Sequence, residues 1–407
     1  MLHNGVRMRT TFALASVAGL ALSLLGGAVA SAATARKQAP AVRWSRVTSA
    51  GTGIIDDIGL ARGKGGILHV LWTTDRTPNQ SIMDTSIGAN GAVGRPTVIA
   101  RFFLATDPDA TVTRSGLTAI WNGIKENAAH SPQGTFQAVR PLAGGRWTVP
   151  AAHVEPLPAV PFTSSSDTAT AGSDGRPWVA FNGTDSLAVD HFGHPEVELG
   201  PTNKCCVIEP GLATDGRTGT TWVTYASLIT GHQGVFARPL LASGRPAGPA
   251  ELLPGSVTGG SIIVPEQRVG TTGRGRGRSG VYAVYERGFP FARALEVDRL
   301  GSRAPVTVAT FGGTGEQLGG STVTATPGGR LVVAWFFGRG TAPALFVRVS
   351  NPAATAYGKV QRVALPAGTT TVWKVYISAQ ANKIDILALV TLRGNSRTTA
   401  YWHAQIA

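Results

Sequence analysis

Acidic side chains recur at one position of a short repeated pattern. Each stands at the start of a β-like stretch that leads through a glycine-rich turn into an apolar strand, and these acids are Asp56, Asp57, Asp107, Asp109, Asp167, Glu209 and Glu266. Carboxyl groups are scarce, 23 in a chain of 407 residues with net charge +14, so this placement is informative. Paired carboxyl groups can act as acid and base on a glycosidic bond, and a ring of them can bind hydroxyl-rich ligands or cations.

The alternative role of each acid is local. An aspartate at the start of a strand can accept hydrogen bonds from nearby backbone N–H groups. This explains any single acid, whereas the whole set favours a ligand-binding mouth. The candidates for acid–base chemistry are Asp57, Asp109, Asp167, Glu209 and Glu266. Neither a calcium-loop motif nor His/Cys metal spacing occurs, so we predict no metal and no cofactor.

Three further polar residues lie at the same positions of the pattern and are candidates for ligand binding: Arg268, Lys374 and Tyr376. A guanidinium group at position 268 can hold a ligand carboxylate through two hydrogen bonds, or it can pair with Glu266. A serine-hydrolase site is disfavoured, because the mature chain has no Gly-x-Ser-x-Gly turn. His69 is interpreted as a packed strand residue.

The repeat itself predicts the fold. Apolar strands end at anchors 44 to 60 residues apart, namely Trp72, Trp121, Phe181, Tyr225, Tyr285, Trp335 and Leu389. Four short strands in each period of about 50 residues are typical of a β-propeller blade. We therefore predict an all-β chain forming a single β-propeller of seven four-stranded blades, with six or eight as alternatives. A β-sandwich array would not give near-equal units of one pattern.

Closure of the ring has a candidate at the two ends of the pattern. Residues 42–48 form one isolated strand candidate before the first unit, and residues 397–407 form the strand that it can join. An unpaired sheet edge invites pairing with other chains, so the N-terminal strand is expected to complete the last blade. The acidic entries then share one face near the axis, and glycine-rich turns such as Gly63–Gly66 lie on the other.

The N-terminus predicts export. Arg7 and Arg9 precede an apolar run, Phe12 to Ala30, which ends in small residues. This order is typical of a secretory signal peptide, here residues 1–32, followed by a linker at 33–41 and a propeller at 42–407. The alternative is a membrane anchor, because the run approaches the length of a short transmembrane helix. We expect a secreted, extracellular monomer with no membrane span after cleavage.

The positive charge suggests anionic partners. Most of it is arginine spread over all units, with a cluster at Gly273–Arg278. Glycans or anionic cell-wall polymers are partners that an exported protein meets. No recognised nucleic-acid-binding motif occurs, so no specific nucleic acid is expected. A solvated turn is the alternative role of the cluster.

The chain has two cysteines, and they are adjacent: Cys205 and Cys206. Consecutive Cα atoms lie about 3.8 Å apart across a trans peptide, closer than the roughly 4.4–6.8 Å of ordinary disulfides. A disulfide within the pair would therefore be strained. We predict that this vicinal disulfide forms and contacts the mouth. A purely structural clip, two buried thiols and a bridge to another chain are the alternatives.

The stretch from Cys205 to Gly216, followed by Thr220 to Tyr225, resembles the secreted bacterial sialidase-like (BNR-repeat) propellers. In that superfamily a double cysteine is often followed by a proline and a strand–turn–strand of this kind. The resemblance implies a six- or seven-bladed propeller, which in some members is a glycoside hydrolase.

Two departures from the family separate this chain from active sialidases. Asp56–Gly59 stands where the family has an Arg-Ile-Pro motif, and Arg217 stands where its turn motif has aspartate. The family's arginine triad and its Tyr–Glu pair are not assigned, although Arg268, Tyr376 and Glu266 are candidates. The sequence predicts a secreted propeller that binds a glycan or other polar ligand in its axial mouth. The alternatives are a glycoside-active hydrolase or lyase that uses the entry carboxylates, and an extracellular scaffold without a small-molecule site.

Overall fold

The structure is a computed structural model. It describes residues 42–48, 57–74, 79–106, 108–126, 133–148, 167–182, 186–201, 210–227, 229, 232–256, 269–271, 280–287, 293–312, 318–337, 343–394 and 399–407. One compact unit comprises Ala41–Ala407. Within the described residues, no helix is long and apolar enough to cross a membrane.

The described residues contain almost only β-strands, with a single 3-10 turn at Lys64–Gly66. The strands, in chain order, are β1 (Trp44–Arg46), β2 (Gly59–Arg62), β3 (Leu68–Thr73), β4 (Gln80–Ile87), β5 (Thr97–Phe102), β6 (Leu104–Ala105), β7 (Asp109–Thr113), β8 (Gly116–Ile124), β9 (Gln133–Arg140), β10 (Asp167–Ala171), β11 (Pro177–Asn182), β12 (Ser186–His191), β13 (Val197–Pro201), β14 (Gly211–Thr214), β15 (Thr221–Ser227), β16 (Gly234–Leu240), β17 (Glu251–Leu252), β18 (Val269–Thr271), β19 (Val281–Arg287), β20 (Ala294–Arg299), β21 (Val306–Thr310), β22 (Leu318–Ala325), β23 (Leu331–Phe337), β24 (Ala344–Val349), β25 (Gln361–Val363), β26 (Thr369–Ala379), β27 (Ile384–Leu392) and β28 (Thr399–Ile406).

These strands form seven antiparallel four-stranded sheets, which are the blades of a β-propeller. Blades 1 to 6 contain β2–β5, β6–β9, β10–β13, β14–β17, β18–β21 and β22–β25, and blade 7 contains β26, β27, β28 and β1. Blade 2 differs slightly, because two strands share the inner edge of β8. β7 pairs with the first part of β8, and the short β6 pairs with its last two residues, Gly123 and Ile124. The predicted all-β fold with seven blades is confirmed.

The core lies between neighbouring blades. The second strand of a blade is covered on both faces, so it is largely buried and apolar, as in β23 and, apart from His69 and Thr73, in β3. Five of the seven predicted aromatic or apolar anchors are at most 2% exposed, and Phe181 is 3% exposed; Tyr225 is partly buried against its cluster. Some outermost strands carry polar, exposed residues, as in β25, whereas β9 is mostly buried. Polarity therefore increases outward in some blades but not in blade 2.

The N-terminal strand closes the ring as predicted. β1 pairs antiparallel with β28, with Trp44 opposite Ala404 and Arg46 opposite Trp402. Blade 7 thus takes its three inner strands from the C-terminal end of the chain and its outer strand from the N-terminal side. The indole of Trp44 donates a 2.6 Å hydrogen bond to the carbonyl of Ala364.

The innermost strands are β2, β7, β10, β14, β18, β22 and β26. Each is hydrogen-bonded to one neighbour within its own blade, so its other edge faces the axis. The inner strands of blades 1 and 2 approach each other at Gly59. A Cβ atom there would lie 2.7 Å from both the Asp109 Cα and the Pro108 carbonyl oxygen.

We expect Gly59→Ala to lower the free energy of unfolding by about 1–3 kcal/mol, because the new methyl group meets rigid backbone of the next blade. Urea denaturation of both proteins measures the change. Gly248→Ala is the matched control, since its Cβ would make only an ordinary 3.6 Å contact with Pro239. Equal stability of the two variants would contradict the close approach of the strands.

Candidate functional site

A cavity of about 300 Å³ lies on the axis, enclosed by six of the inner strands, β2, β7, β10, β14, β22 and β26. Six of its lining residues carry a hydroxyl group: Thr168, Thr170, Thr322, Thr324, Tyr376 and Ser378. Thr168, Thr322 and Tyr376 are buried, whereas Thr170, Thr324 and Ser378 are partly exposed. Alanines fill much of the remaining wall, including Ala110, Ala169 and Ala213. Two of these lining residues, Asp109 and Tyr376, are candidates predicted from the sequence, whereas the threonines and Ser378 were not predicted.

The composition of this lining follows from the geometry of the ring. Inner strands that converge on one axis leave limited room for side chains, although larger ones such as Leu60 and Leu212 are also present. Their axial edges also present backbone N–H and C=O groups that have no partner within the blade, and such groups require polar surroundings. Threonine satisfies both needs, because it is β-branched, small and able to donate and accept hydrogen bonds.

The structure brings together three of the residues predicted from sequence. Lys374 Nζ and Tyr376 OH both donate hydrogen bonds to Oδ1 of Asp57. Asp57 and Tyr376 are buried, and the lysine side chain is 19% exposed. Asp57 precedes β2 in blade 1, whereas its two partners lie on β26 of blade 7. This cluster therefore joins the first blade to the last.

Asp109 also holds two blades together. Its Oδ1 accepts a 2.8 Å hydrogen bond from the Ala110 N–H, and its Oδ2 accepts a 2.7 Å hydrogen bond from the Ala169 N–H. The first bond is the local one expected of an aspartate at a strand start, and the second links blade 2 to blade 3. The side chain is buried and also lines the axial cavity.

The other predicted acids and ligand-binding groups are not positioned by the described residues. Asp167 is the first residue of β10, opposite Phe181, but only its backbone is described. The remaining predicted site residues lie outside the described residues: Glu209, Glu266, Arg268, Cys205 and Cys206. Their catalytic and binding roles stay predictions.

The turn at Asp215–Gly219 is held by the carboxylate of its first residue. Asp215 Oδ1 accepts hydrogen bonds of 2.8 Å from the Arg217 N–H and 3.4 Å from the Thr218 N–H. The turn closes through the Gly219 N–H, which donates to the Asp215 carbonyl at 2.8 Å. Arg217 therefore contributes its backbone N–H to this turn, and these hydrogen bonds do not involve its side chain.

Sequence reasoning missed a buried acid in blade 5. Glu286 follows the anchor Tyr285 on β19, is 3% exposed, and neither carboxyl oxygen has a hydrogen-bond partner in the described residues. Burial raises the pKa of Glu286 to about 8. The carboxyl group is therefore mostly protonated at neutral pH. The signal available in the sequence was an acid directly after the apolar run Val281–Tyr285, because charged residues are seldom fully buried.

We expect Glu286→Gln to flatten the pH dependence of stability. Between the ordinary pKa of 4.5 and the folded value of about 8, the unfolded chain loses a proton that the folded chain keeps. Stability therefore falls as pH rises through this range. The glutamine variant should gain about 3 kcal/mol relative to the parent between pH 4 and pH 7.

Urea unfolding at the two pH values measures this gain. Glu198→Gln is the control, because Glu198 is an exposed glutamate on β13. The same pH response in the parent and Glu286→Gln would show that Glu286 is ionised in the folded protein.

These observations define the protein as a seven-bladed β-propeller with a polar axial cavity. No protein-family model and no curated protein matches the sequence. Among solved structures, an ancestral GH74 enzyme is similar with a TM-score of 0.54 and 10% identity, over 88% of this chain and 48% of that one.

Two further solved structures show weaker likeness. The α-L-arabinofuranosidase Arb93A from Fusarium graminearum has a TM-score of 0.49 at 12% identity, over 89% of this chain and 97% of that one. The Aleuria aurantia lectin has a TM-score of 0.44 at 12% identity, over 76% and 96%. At such identities the likeness is one of fold, and the resemblance to sialidase-like proteins stays a prediction.

Proposed function

We propose that this protein binds a sugar unit of a glycan in its axial cavity. The observation that carries the proposal is the set of hydroxyl-bearing residues that line a cavity of about 300 Å³, among which Thr170 and Thr324 are partly exposed. Cavities of this size lie at the lower end of small-ligand sites, which suits one sugar unit. Threonine hydroxyls both donate and accept hydrogen bonds, as sugar hydroxyls do. A threonine can therefore act as donor or as acceptor towards a sugar hydroxyl.

Binding without hydrolysis is favoured by the two candidate acids whose side chains are described. Asp57 accepts hydrogen bonds from Lys374 and Tyr376, and Asp109 accepts them from two backbone N–H groups. A general acid or base must exchange protons with the substrate. For Asp57 or Asp109 to do so, the hydrogen bonds that join neighbouring blades would have to break. A hydrolase or lyase activity would therefore depend on Asp167, Glu209 and Glu266.

Export is part of the proposal. The arginines and apolar run at the N-terminus support a signal peptide, and an exported propeller meets extracellular glycans or anionic cell-wall polymers. The adjacent pair Cys205 and Cys206 is compatible with such an oxidising location.

We expect the double variant Thr170→Val and Thr324→Val to weaken sugar binding about tenfold or more, because each substitution removes a hydroxyl from the lining and keeps its shape. Ligands are first identified on a glycan array, and their affinities are then measured by isothermal titration calorimetry. Thr310→Val, at an exposed outer-strand position, is the matched control and should bind as the parent does.

The same ligands distinguish binding from catalysis. Release of reducing ends or of unsaturated sugars during incubation would favour the enzyme, especially if Asp167→Asn or Glu209→Gln abolished it. Array binding that the threonine variant leaves unchanged would move the site away from the axis. Absence of any glycan binding would favour the scaffold alternative.

A further inference from the structure

A second cavity, of about 310 Å³, lies on the face of the propeller opposite the acidic entries. It is formed by the turn between β2 and β3 in blade 1 and by the end of β9 with the turn that follows it in blade 2. Its polar lining comes from Lys64, His69, Ser86 and Arg140, and none of its described lining residues is acidic.

One buried carboxylate fixes two of these polar groups. Asp84, 2% exposed, lies on β4, and its Oδ1 is 3.0 Å from His69 Nδ1. Its Oδ2 accepts hydrogen bonds of 3.1 Å from Arg140 Nη1 and 2.8 Å from the indole N–H of Trp147. The ring of Trp147 stands edge-on to His69, with the centroids 6.4 Å apart. Four side chains from two blades are thereby held in one arrangement.

The arrangement leaves one histidine nitrogen for a ligand. A carboxylate only accepts hydrogen bonds, so His69 Nδ1 carries the hydrogen that points to Asp84. His69 Nε2 then faces the cavity wall at Gly63, where an added Cβ would lie 3.7 Å from it. The backbone of Gly63 is extended at φ −81°, which any residue can adopt.

The charge and the rim of the cavity indicate the ligand. Lys64 is exposed, and the side chain of Arg140 is 25% exposed with one nitrogen on Asp84. These two cations outweigh the single buried carboxylate, so the cavity favours an anion. Ile67 and Leu142, 40% and 41% exposed, add an apolar surface beside the cations.

We propose that this cavity binds a small organic carboxylate with an apolar body. Lys64 and Arg140 attract the carboxylate, and His69 Nε2 contributes a hydrogen-bonding group. Ile67 and Leu142 contact the apolar part. The competing explanation is that Asp84 only fastens blade 1 to blade 2. The proposal is independent of sugar binding at the axis, because the two cavities share no lining residue.

The probe is phenylacetate, titrated into the full chain by isothermal titration calorimetry. We expect saturable binding in the millimolar range or tighter, and none for 2-phenylethanol, which has the same apolar body without the charge. Lys64→Ala should weaken binding about fivefold, because it removes an exposed cation beside the carboxylate. Lys359→Ala, at an exposed lysine of blade 6, is the matched control.

A second variant tests the cavity without removing any charge. Gly63→Leu places an apolar side chain in front of His69, with ordinary contact at its Cβ, and should weaken phenylacetate binding at least tenfold. Gly312→Leu is the control, since a Cβ there meets nothing within 4 Å. Unchanged melting temperatures show that both variants fold.

The proposal is overturned if phenylacetate does not bind at millimolar concentrations. It is also overturned if Lys64→Ala and Lys359→Ala weaken binding equally, which would mark a general charge effect. Binding that persists in folded Gly63→Leu would place the ligand elsewhere and leave Asp84 as a purely structural link. Loss of phenylacetate binding in the Thr170/Thr324 variant would assign the ligand to the axial cavity.

Discussion

The junction between blade 7 and blade 1 is the constraint on which the rest of the ring depends. β1 completes blade 7 by pairing with β28, and two polar clusters then join that blade to blade 1. At one face, Asp57 accepts from Lys374 and Tyr376. At the other, Arg62 donates to Asp385 at 2.8 Å. Without this junction the axial cavity would have an open side, because β2 and β26 form two of its walls.

The second cluster shows how the chain uses its few acids. Asp385 is 1% exposed; burial raises its pKa, but hydrogen bonds from His403 and Arg62 and the arginine charge outweigh that effect and hold the pKa below its ordinary value. Asp57, Asp84 and Asp109 are likewise bonded across a blade boundary. A buried charge with several donors gives a specific contact that apolar packing between similar blades does not give. In this protein four buried aspartates, Asp57, Asp84, Asp109 and Asp385, bond across boundaries between neighbouring blades.

Much of the fold could be predicted from the sequence, because each blade repeats a short strand–turn–strand pattern that can be recognised locally. The seven anchors predicted seven blades, and the strand candidate at residues 42–48 predicted that the N-terminal strand completes the last blade. The entry pattern also selected Asp57, Lys374 and Tyr376, although not their mutual contact. Asp84 could not be found in this way, since its partners lie 15, 56 and 63 residues away. Such contacts depend on the register of strands in different blades. The hydroxyl lining was missed because single threonines in strands carry no chemical signal until the ring brings them together.

The pairing of β1 with β28 also determines the order of folding events. Its partners, such as Trp44 and Ala404, are separated by almost the whole chain, so the closing hydrogen bonds form only after the last strand has been synthesised. Until then β28 is absent, the N-terminal strand has no mate, and the earlier blades form an open arc. Contacts of such long sequence separation form slowly, and unpaired edges are prone to aggregation meanwhile. The last strand of blade 7 therefore controls when the ring can close.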